Sequence, residues 1–136
     1  MCATARSKPA GPPKMSKLPK PNPTAFTYYA RLERVKRYVE THLSGDLSVA
    51  KVSAIAGMER TYFSNFFHDK TGVRYRDWLA SLRIERAKQM LRSANHSIAR
   101  VATSVGFGSL RSFERTFKRY TGVTPNAFKR TVRPGS

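Results

Sequence analysis

Cysteine is nearly absent from this chain of 136 residues, in which Cys2 is the only one. A single cysteine excludes an intrachain disulfide and any zinc site built from several thiolates. The three histidines, His42, His68 and His96, lie too far apart along the chain to have metal-ligand spacing. The sequence therefore predicts neither a bound metal nor a cofactor.

Acidic residues are also scarce. The chain has 8 Asp and Glu against 26 Lys and Arg, a formal net charge of +18. An excess of this size exceeds what solubility requires and indicates a polyanionic partner. The candidates are nucleic acid and an acidic membrane surface.

Long apolar runs are missing as well. No stretch approaches the roughly 20 apolar residues of a membrane span, and the first residues, MCATARSKPAGPPKMSKLPK, lack the apolar segment of a signal peptide. A helix lying on a membrane would need an unpartnered apolar face, whereas the apolar residues here suit a protein core. We therefore expect a cytoplasmic protein that does not bind membranes.

The motifs of enzymes are not found either. No nucleophile has a base at motif spacing, no pair of carboxylates stands out, and no glycine-rich phosphate loop follows a strand. The sequence thus predicts a protein that is not an enzyme.

Residues 1–25 differ in composition from the rest of the chain, with six prolines, five basic residues and no acid. This composition predicts a disordered basic tail. The tail either adds sequence-independent attraction to phosphates or has no role. The remaining chain divides into a first subdomain at 26–74, a linker helix at 75–93 and a second subdomain at 94–136.

Everything after the tail favours helix, so the predicted fold class is all-α with seven helices. The evidence is apolar spacing of three and four residues, serine or threonine before a helix, and glycine after it. The predicted helices are Tyr29–Leu43, Val49–Ala56, Arg60–Lys70, Arg76–Arg92, Ile98–Val105, Leu110–Tyr120 and a last one that starts at Pro125.

Two stretches of the chain repeat each other. SVAKVSAIAGM at 48–58 aligns with SIARVATSVGF at 97–107, and each is followed by a longer helix with phenylalanines four residues apart. A short helix, a tight glycine turn and a longer helix form a helix-turn-helix unit. Met58 and Phe107 are placed to fill the angle between the helices. Two units in register are a stronger signal than one, because any all-helical domain contains glycine turns.

The second unit gives a more specific signal. IARVATSVGFGSLRSFERTFKRYTGVTPNAFK, at 98–129, resembles the signature of the AraC/XylS family of bacterial transcription regulators, and the resemblance extends from about Arg31 to Val132. It implies that a long helix joins two helix-turn-helix subdomains, whose second helices enter successive major grooves on one face of the DNA. In size the chain resembles the stand-alone members of the MarA/SoxS/Rob type. The larger members carry an N-terminal effector domain, which residues 1–25 do not resemble.

The helix predicted at 110–120 has two unlike faces. An apolar stripe at three- and four-residue spacing should pack inward, and it consists of Leu110, Phe113, Phe117 and Tyr120. Leu110, in the first turn, could instead contact a thymine methyl group.

The other face of this helix carries the candidate DNA contacts. Arg111 and Arg115 lie one above the other, and arginine can donate two hydrogen bonds to guanine. Ser112 can bind a base edge or a phosphate. Glu114 either accepts from a cytosine amine or pairs with Lys118, and Arg115 binds either a base or a phosphate. The predicted base contacts are Arg111, Ser112, Glu114 and Arg115, and the predicted phosphate contacts are Lys118 and Arg119.

The helix predicted at 60–70 is the first reading helix, and the resemblance places Thr61, Ser64 and Asn65 toward the bases. Asn65 can bond adenine with two hydrogen bonds, and Thr61 offers a methyl group to thymine. Arg60 and Tyr62 are better placed for phosphates. The alternative is an ordinary polar surface.

Serines precede three of the predicted helices. The amide ends of such helices suit phosphate contacts, although capping alone would account for serine there. The residues concerned are Ser48, Ser97 and Ser109.

The linker helix carries Trp78, Leu79 and Leu82, which we expect to form a core that joins the two halves. Its basic residues either contact phosphates or lie on the plain surface, and they are Arg83, Arg86, Lys88 and Arg92.

The resemblance therefore implies a sequence-specific transcription regulator of double-stranded DNA, an activator that contacts RNA polymerase and acts as a monomer in the bacterial nucleoid. The alternative is a sequence-nonspecific architectural DNA-binding protein. That alternative fits the charge, but it does not predict two matched helix-turn-helix units.

Overall fold

The computed structural model describes residues 20–93 and 96–132, and within these ranges it is all-helical, which confirms the predicted fold class. Its helices are α1 (Pro23–Tyr28), α2 (Ala30–Thr41), α3 (Val49–Ala56), α4 (Arg60–Thr71), α5 (Tyr75–Arg92), α6 (Ile98–Ser104), α7 (Leu110–Thr121) and α8 (Pro125–Val132). None of these helices is both long enough and apolar enough to cross a bilayer.

Helix α1 was not predicted, so the expected number of seven helices was one too few. Asn22 caps α1 by accepting from the Thr24 amide at 3.1 Å, and Pro23 stands in the first turn, where the missing amide hydrogen costs nothing. The ring of Phe26 is buried and stacks on Trp78 at 5.3 Å between centroids. This burial explains why so short a helix forms in a proline-rich segment.

The predicted tail at residues 1–25 consequently extended too far. Residues 23–25 belong to α1, and the Asn22 amide donates to the Thr71 carbonyl at 2.8 Å, which attaches the start of α1 to the end of α4. Residues 1–19 lie outside the described part of the chain.

Two separate cores form on opposite ends of α5. Trp78 belongs to the first core, with Leu79 and Leu82 packed against the same cluster. The second core takes Ile84, Ala87 and Leu91 from α5. The prediction that Trp78, Leu79 and Leu82 join both halves is therefore wrong, because successive turns of α5 bury different faces of the helix.

The predicted repeat is present as two helix-turn-helix units, α3–α4 and α6–α7. Each unit turns at a glycine with positive φ, 72° at Gly57 and 97° at Gly106. Met58 and Phe107 are half-buried against the two cores, as expected.

The repeat extends to side-chain hydrogen bonds at the ends of α4 and α7. The Thr71 hydroxyl donates to the Phe67 carbonyl at 2.8 Å, and the Thr121 hydroxyl donates to the Phe117 carbonyl at 2.8 Å. Both hydroxyls also accept from the amide two residues later, at 3.2 Å. The two units thus share the same terminal geometry.

The serine and threonine caps are confirmed. Each hydroxyl accepts from the amide three residues along the chain, at 3.1–3.3 Å. Such caps satisfy amides that would otherwise lack an intrahelical partner. The capping residues are Ser48, Ser97, Ser109 and Thr124.

Candidate nucleic-acid interface

The inner face of α7 holds this helix on the second core. Phe113 and Phe117 are both fully buried, as predicted. Phe113 packs on Phe107 at 5.3 Å between ring centroids, and Phe117 packs on Phe128 at 5.5 Å. These contacts fix the rotation of α7 about its own axis and therefore decide which residues face solvent.

Leu110 departs from the predicted inward stripe, because 42% of its surface is exposed. It stands at the first position of α7, next to the turn, where the second core does not extend over it. The side chain therefore lies on the outer surface, close to the charged residues of α7.

The outer face of α7 carries its charge. Arg111, Glu114 and Arg115 are exposed, and Ser112 is half-buried. The ion pairs seen in residues 20–93 and 96–132 do not include one between Glu114 and Lys118. The exposed residues toward the end of the helix are Lys118 and Arg119.

Helix α4 has the same division of faces with less charge. Phe63 and Phe67 are fully buried in the first core. Thr61 and Asn65 are exposed, and Ser64 is half-buried. The neighbouring residues named for phosphate contact, Arg60 and Tyr62, are also exposed.

Glu59 caps α4, which the sequence reasoning missed. Its carboxylate oxygens accept from the Thr61 amide at 3.1 Å and from the Tyr62 amide at 3.0 Å. These two backbone hydrogen bonds lower the pKa of Glu59 below its usual value. Its position, directly before the helix and within reach of the first free amides, was the available signal.

The amino ends of the two reading helices therefore differ. An anionic carboxylate occupies the first amides of α4, whereas the neutral Ser109 hydroxyl caps α7. Phosphate is attracted to the uncompensated positive end of a helix. The end of α7 thus suits an anion better than the end of α4.

Aromatic residues border α4 on one side, another feature that the sequence reasoning did not identify. Tyr62 stacks on Phe66 at 6.0 Å, and Phe66 meets Tyr29 edge to face at 5.3 Å. The Lys70 ammonium lies over both the Phe66 and Tyr29 rings, at 5.8 and 5.6 Å. Asn65 therefore lies beside an aromatic surface, and the polar residues Asp69 and Lys70 line the same shallow pocket.

Charge is distributed unevenly between the two halves. Residues 26–74 contain eight basic and five acidic residues, and residues 94–136 contain eight basic and one acidic residue. The electrostatic attraction for a polyanion is consequently concentrated in the second half, which includes α7.

A family described as "Helix-turn-helix domain" matches residues 52–131. Among curated proteins, the uncharacterized HTH-type transcriptional regulator YobQ of Bacillus subtilis is 34% identical over 95 residues. The regulatory protein PocR of Salmonella typhimurium is 28% identical over 107 residues. These matches cover 70% and 79% of this chain, which spans only 39% of YobQ and 35% of PocR.

Two solved structures have a similar fold. The DNA-binding domain of AdpA, crystallised with a target DNA, is 29% identical with a TM-score of 0.71, and the match covers 78% of this chain and 98% of that one. The C-terminal domain of AraT, a response regulator of Geobacillus stearothermophilus, is 28% identical with a TM-score of 0.71, and the match covers 74% of this chain and 84% of that one.

The fold and the two matched units define a double helix-turn-helix domain. The chain belongs to the AraC-type helix-turn-helix family, as the resemblance in its second unit implied. This family and this fold are those of DNA-binding transcription regulators.

Proposed function

We propose that this chain is a sequence-specific transcription regulator that inserts α4 and α7 into successive major grooves of double-stranded DNA. The observation that carries the proposal is the division of α7: Phe113 and Phe117 are fully buried, while Arg111 and Arg115 are exposed on the outer face. A B-DNA major groove, about 12 Å wide, admits one α-helix. Buried phenylalanines hold the helix, and exposed arginines are free to read bases.

In α7, Arg111 and Arg115 are proposed to bind guanine through paired donors, the commonest base-specific contact. Ser112 and Glu114 are proposed as further base contacts, since the absence of a Glu114–Lys118 ion pair leaves the carboxylate available to a cytosine amine. Arg115 can also bind a phosphate. The proposed phosphate contacts of this helix are Lys118 and Arg119.

In α4, Asn65 is proposed to bind adenine, and Thr61 to contact a thymine methyl group. Ser64 is half-buried and has a short side chain, and it is proposed as a further base contact. Arg60 and Tyr62 are proposed to hold phosphates at the edge of the groove.

Three capping serines complete the proposed phosphate contacts. A helix amino end presents backbone amides that can bind a phosphate. Support is strongest at Ser109, because the helix that it caps carries the basic face. The other two are Ser48 and Ser97.

The proposed target is an asymmetric site of roughly 20 base pairs, bound by one chain, because a single chain already carries two reading helices. We propose an activator that contacts RNA polymerase in the bacterial cytoplasm. The regulator names of the relatives, the target DNA in the AdpA structure and the family membership support this proposal.

Selection of binding sites from random duplex DNA tests the proposal. We expect an enriched motif in two unequal halves, bound at least about a thousandfold more tightly than unrelated duplex. Affinity should also fall steeply with salt, because phosphate contacts release counterions. No enriched motif, with equal affinity for all duplexes, would contradict sequence-specific recognition and leave the architectural DNA-binding protein as the function.

A further inference from the structure

The two halves of the molecule meet at Arg83, in the middle of α5. Its Nε donates to the Leu43 carbonyl at 3.0 Å, and its Nη2 lies 3.4 Å from the Gly45 carbonyl. Both carbonyls belong to the loop between α2 and α3, in the first half. The Arg83 guanidinium therefore binds backbone carbonyls within the protein, so it is not the plain surface residue that was one of the two alternatives from the sequence.

Gly106, in the turn of the second helix-turn-helix unit, touches the same two groups. A Cβ atom added to Gly106 would overlap the Leu43 carbonyl and would come within 2.9 Å of both Cζ and Nε of Arg83. The backbone φ of Gly106 is 97°, in the region that favours glycine. Glycine is thus required here both for its conformation and for its lack of a side chain.

The equivalent glycine of the first unit has no such neighbours. A Cβ atom at Gly57 would meet nothing within 4 Å, and the same is true of Gly122, whose φ of 88° is close to that of Gly106. The close approach at Gly106 is therefore not a property of the turn. It is a contact between the turn of the second unit and the α2–α3 loop of the first half.

This contact matters because helices α1–α4 make at most slight contact with helices α6–α8. Helix α5 connects the two groups, since α4 packs on it from one half and α6, α7 and α8 pack on it from the other. Within the described residues, the Tyr120 hydroxyl of α7 also donates to the carboxylate of Asp77, near the start of α5, at 3.4 Å. We call the contact among Arg83, the Leu43 carbonyl and Gly106 the joint. It connects both halves to α5 at the same point along that helix.

We infer that Arg83 and Gly106 act as positioning residues: the joint fixes the orientation of α4 relative to α7 and thereby selects the spacing between the two half-sites in DNA. The selection of spacing rests on the proposed function, whereas the fixed orientation does not. Moving a half-site by one base pair shifts it by about 3.4 Å and rotates it by roughly one tenth of a turn. With a rigid joint, such a shift weakens binding because both reading helices cannot fit their half-sites at once. With a loosened joint, the two helices can adjust, and binding is weakened less.

The first test measures orientation without DNA. Nitroxide spin labels are attached to cysteines that replace the exposed residues Arg37 and Thr103, one in each half, in the full chain with Cys2→Ser. Pulsed electron paramagnetic resonance then measures the distribution of distances between the two labels. We expect a single narrow distribution for the parent and a broadened or shifted one for Arg83→Met, which keeps the stem and removes the donors. An unchanged distribution in Arg83→Met would overturn the inference.

A glycine pair controls for backbone strain in the same measurement. Gly106→Ala and Gly122→Ala both put a side chain at a positive φ, but only the first also collides with the joint. We expect Gly106→Ala to change the distance distribution and Gly122→Ala to leave it as in the parent. Distributions that are equal in the two variants would contradict the role of Gly106.

The second test uses the selected duplex with one or two base pairs inserted or removed between its half-sites. We expect the wild type to prefer one spacing by about tenfold or more, and Arg83→Met to reduce that preference to about threefold or less. The exposed Arg34→Met, which removes one charge outside the joint, should keep the wild-type profile. A full preference retained in Arg83→Met would overturn the selection of spacing.

The two tests separate failure of the inference from failure of the proposed function. A wild-type chain with no preferred sequence contradicts the proposed function, and the selection of spacing with it. The spin-label distances still decide whether the joint holds the two halves in one orientation.

Discussion

Arg115 and Phe117 lie two residues apart in α7, yet one is exposed and the other is fully buried. A helix turns by about 100° per residue, so positions two apart fall on nearly opposite faces. Single residues therefore divide between two tasks: the phenylalanines hold the helix on the core, and the polar residues face the proposed DNA. The two kinds of residue should respond differently to substitution.

Arg111→Ala should weaken binding to the selected duplex by about 1 to 3 kcal/mol and relax one base position, because a paired contact to guanine is lost. Competition binding with all four bases at each position measures both effects. Arg34→Ala, outside α7, is the charge-matched control. An equal loss on selected and random duplex would show that Arg111 contacts only phosphate.

Phe117→Ala should lower the free energy of unfolding by about 3 to 5 kcal/mol, since it leaves a cavity among Phe113, Phe128 and the rest of the second core. Denaturant titration followed by circular dichroism measures the change. Leu110→Ala, at an exposed position of the same helix, should have a much smaller effect. A Phe117→Ala variant as stable as the wild type would contradict the packing described for α7.

At the scale of the element, most helix bounds were predictable because their signals are local. The prediction Val49–Ala56 matches α3, and the start of α7 at Leu110 follows from the Ser109 cap. Helix α1 was missed because its prolines suggested a tail, and its burial against Trp78 depends on residues about 50 positions away. The Glu59 cap was missed because glutamate is not among the residues that cap most often.

The carboxylate of Glu59 makes the cap of α4 depend on pH, whereas the cap of α7 is a serine hydroxyl, which stays neutral. The folded-state pKa of Glu59 is below its usual value, so the carboxylate stabilises the fold at pH values above the unfolded-state pKa. That contribution is lost as pH falls through the lowered folded-state pKa.

Wild type should accordingly be more stable than Glu59→Gln at pH 6, and the difference should shrink as pH falls below about 4. Denaturant titrations of both proteins from pH 6 to pH 3 measure it. The comparison cancels the other groups that titrate in this range, including Asp46, whose pKa is also lowered, mainly by the Ser48 amide. A stability difference that stays constant from pH 6 to pH 3 would contradict stabilisation of α4 by the ionised Glu59 carboxylate.

At the scale of the whole molecule, the arrangement is two small cores on one long helix, and the net positive charge is larger in the second half because that half has fewer acidic residues. The presence of two units was predictable, because residues 97–107 repeat the residue pattern of 48–58. Their mutual orientation was not, because the Arg83–Leu43 hydrogen bond joins residues 40 positions apart and has no local pattern. The residue types of the candidate site were predictable, but Leu110 and Glu59 required the structure.

Two modifications of the selected duplex test the central claim most directly, methylation of guanine N7 and replacement of thymine by deoxyuridine, because guanine N7 and the thymine methyl group both lie in the major groove. The account predicts two patches of interference about one helical turn apart on one face of the DNA, the geometry of two reading helices. Arg111→Ala should lose guanines from one patch only. A single patch with both modifications, or binding that neither modification affects, would contradict the insertion of α4 and α7 into successive grooves.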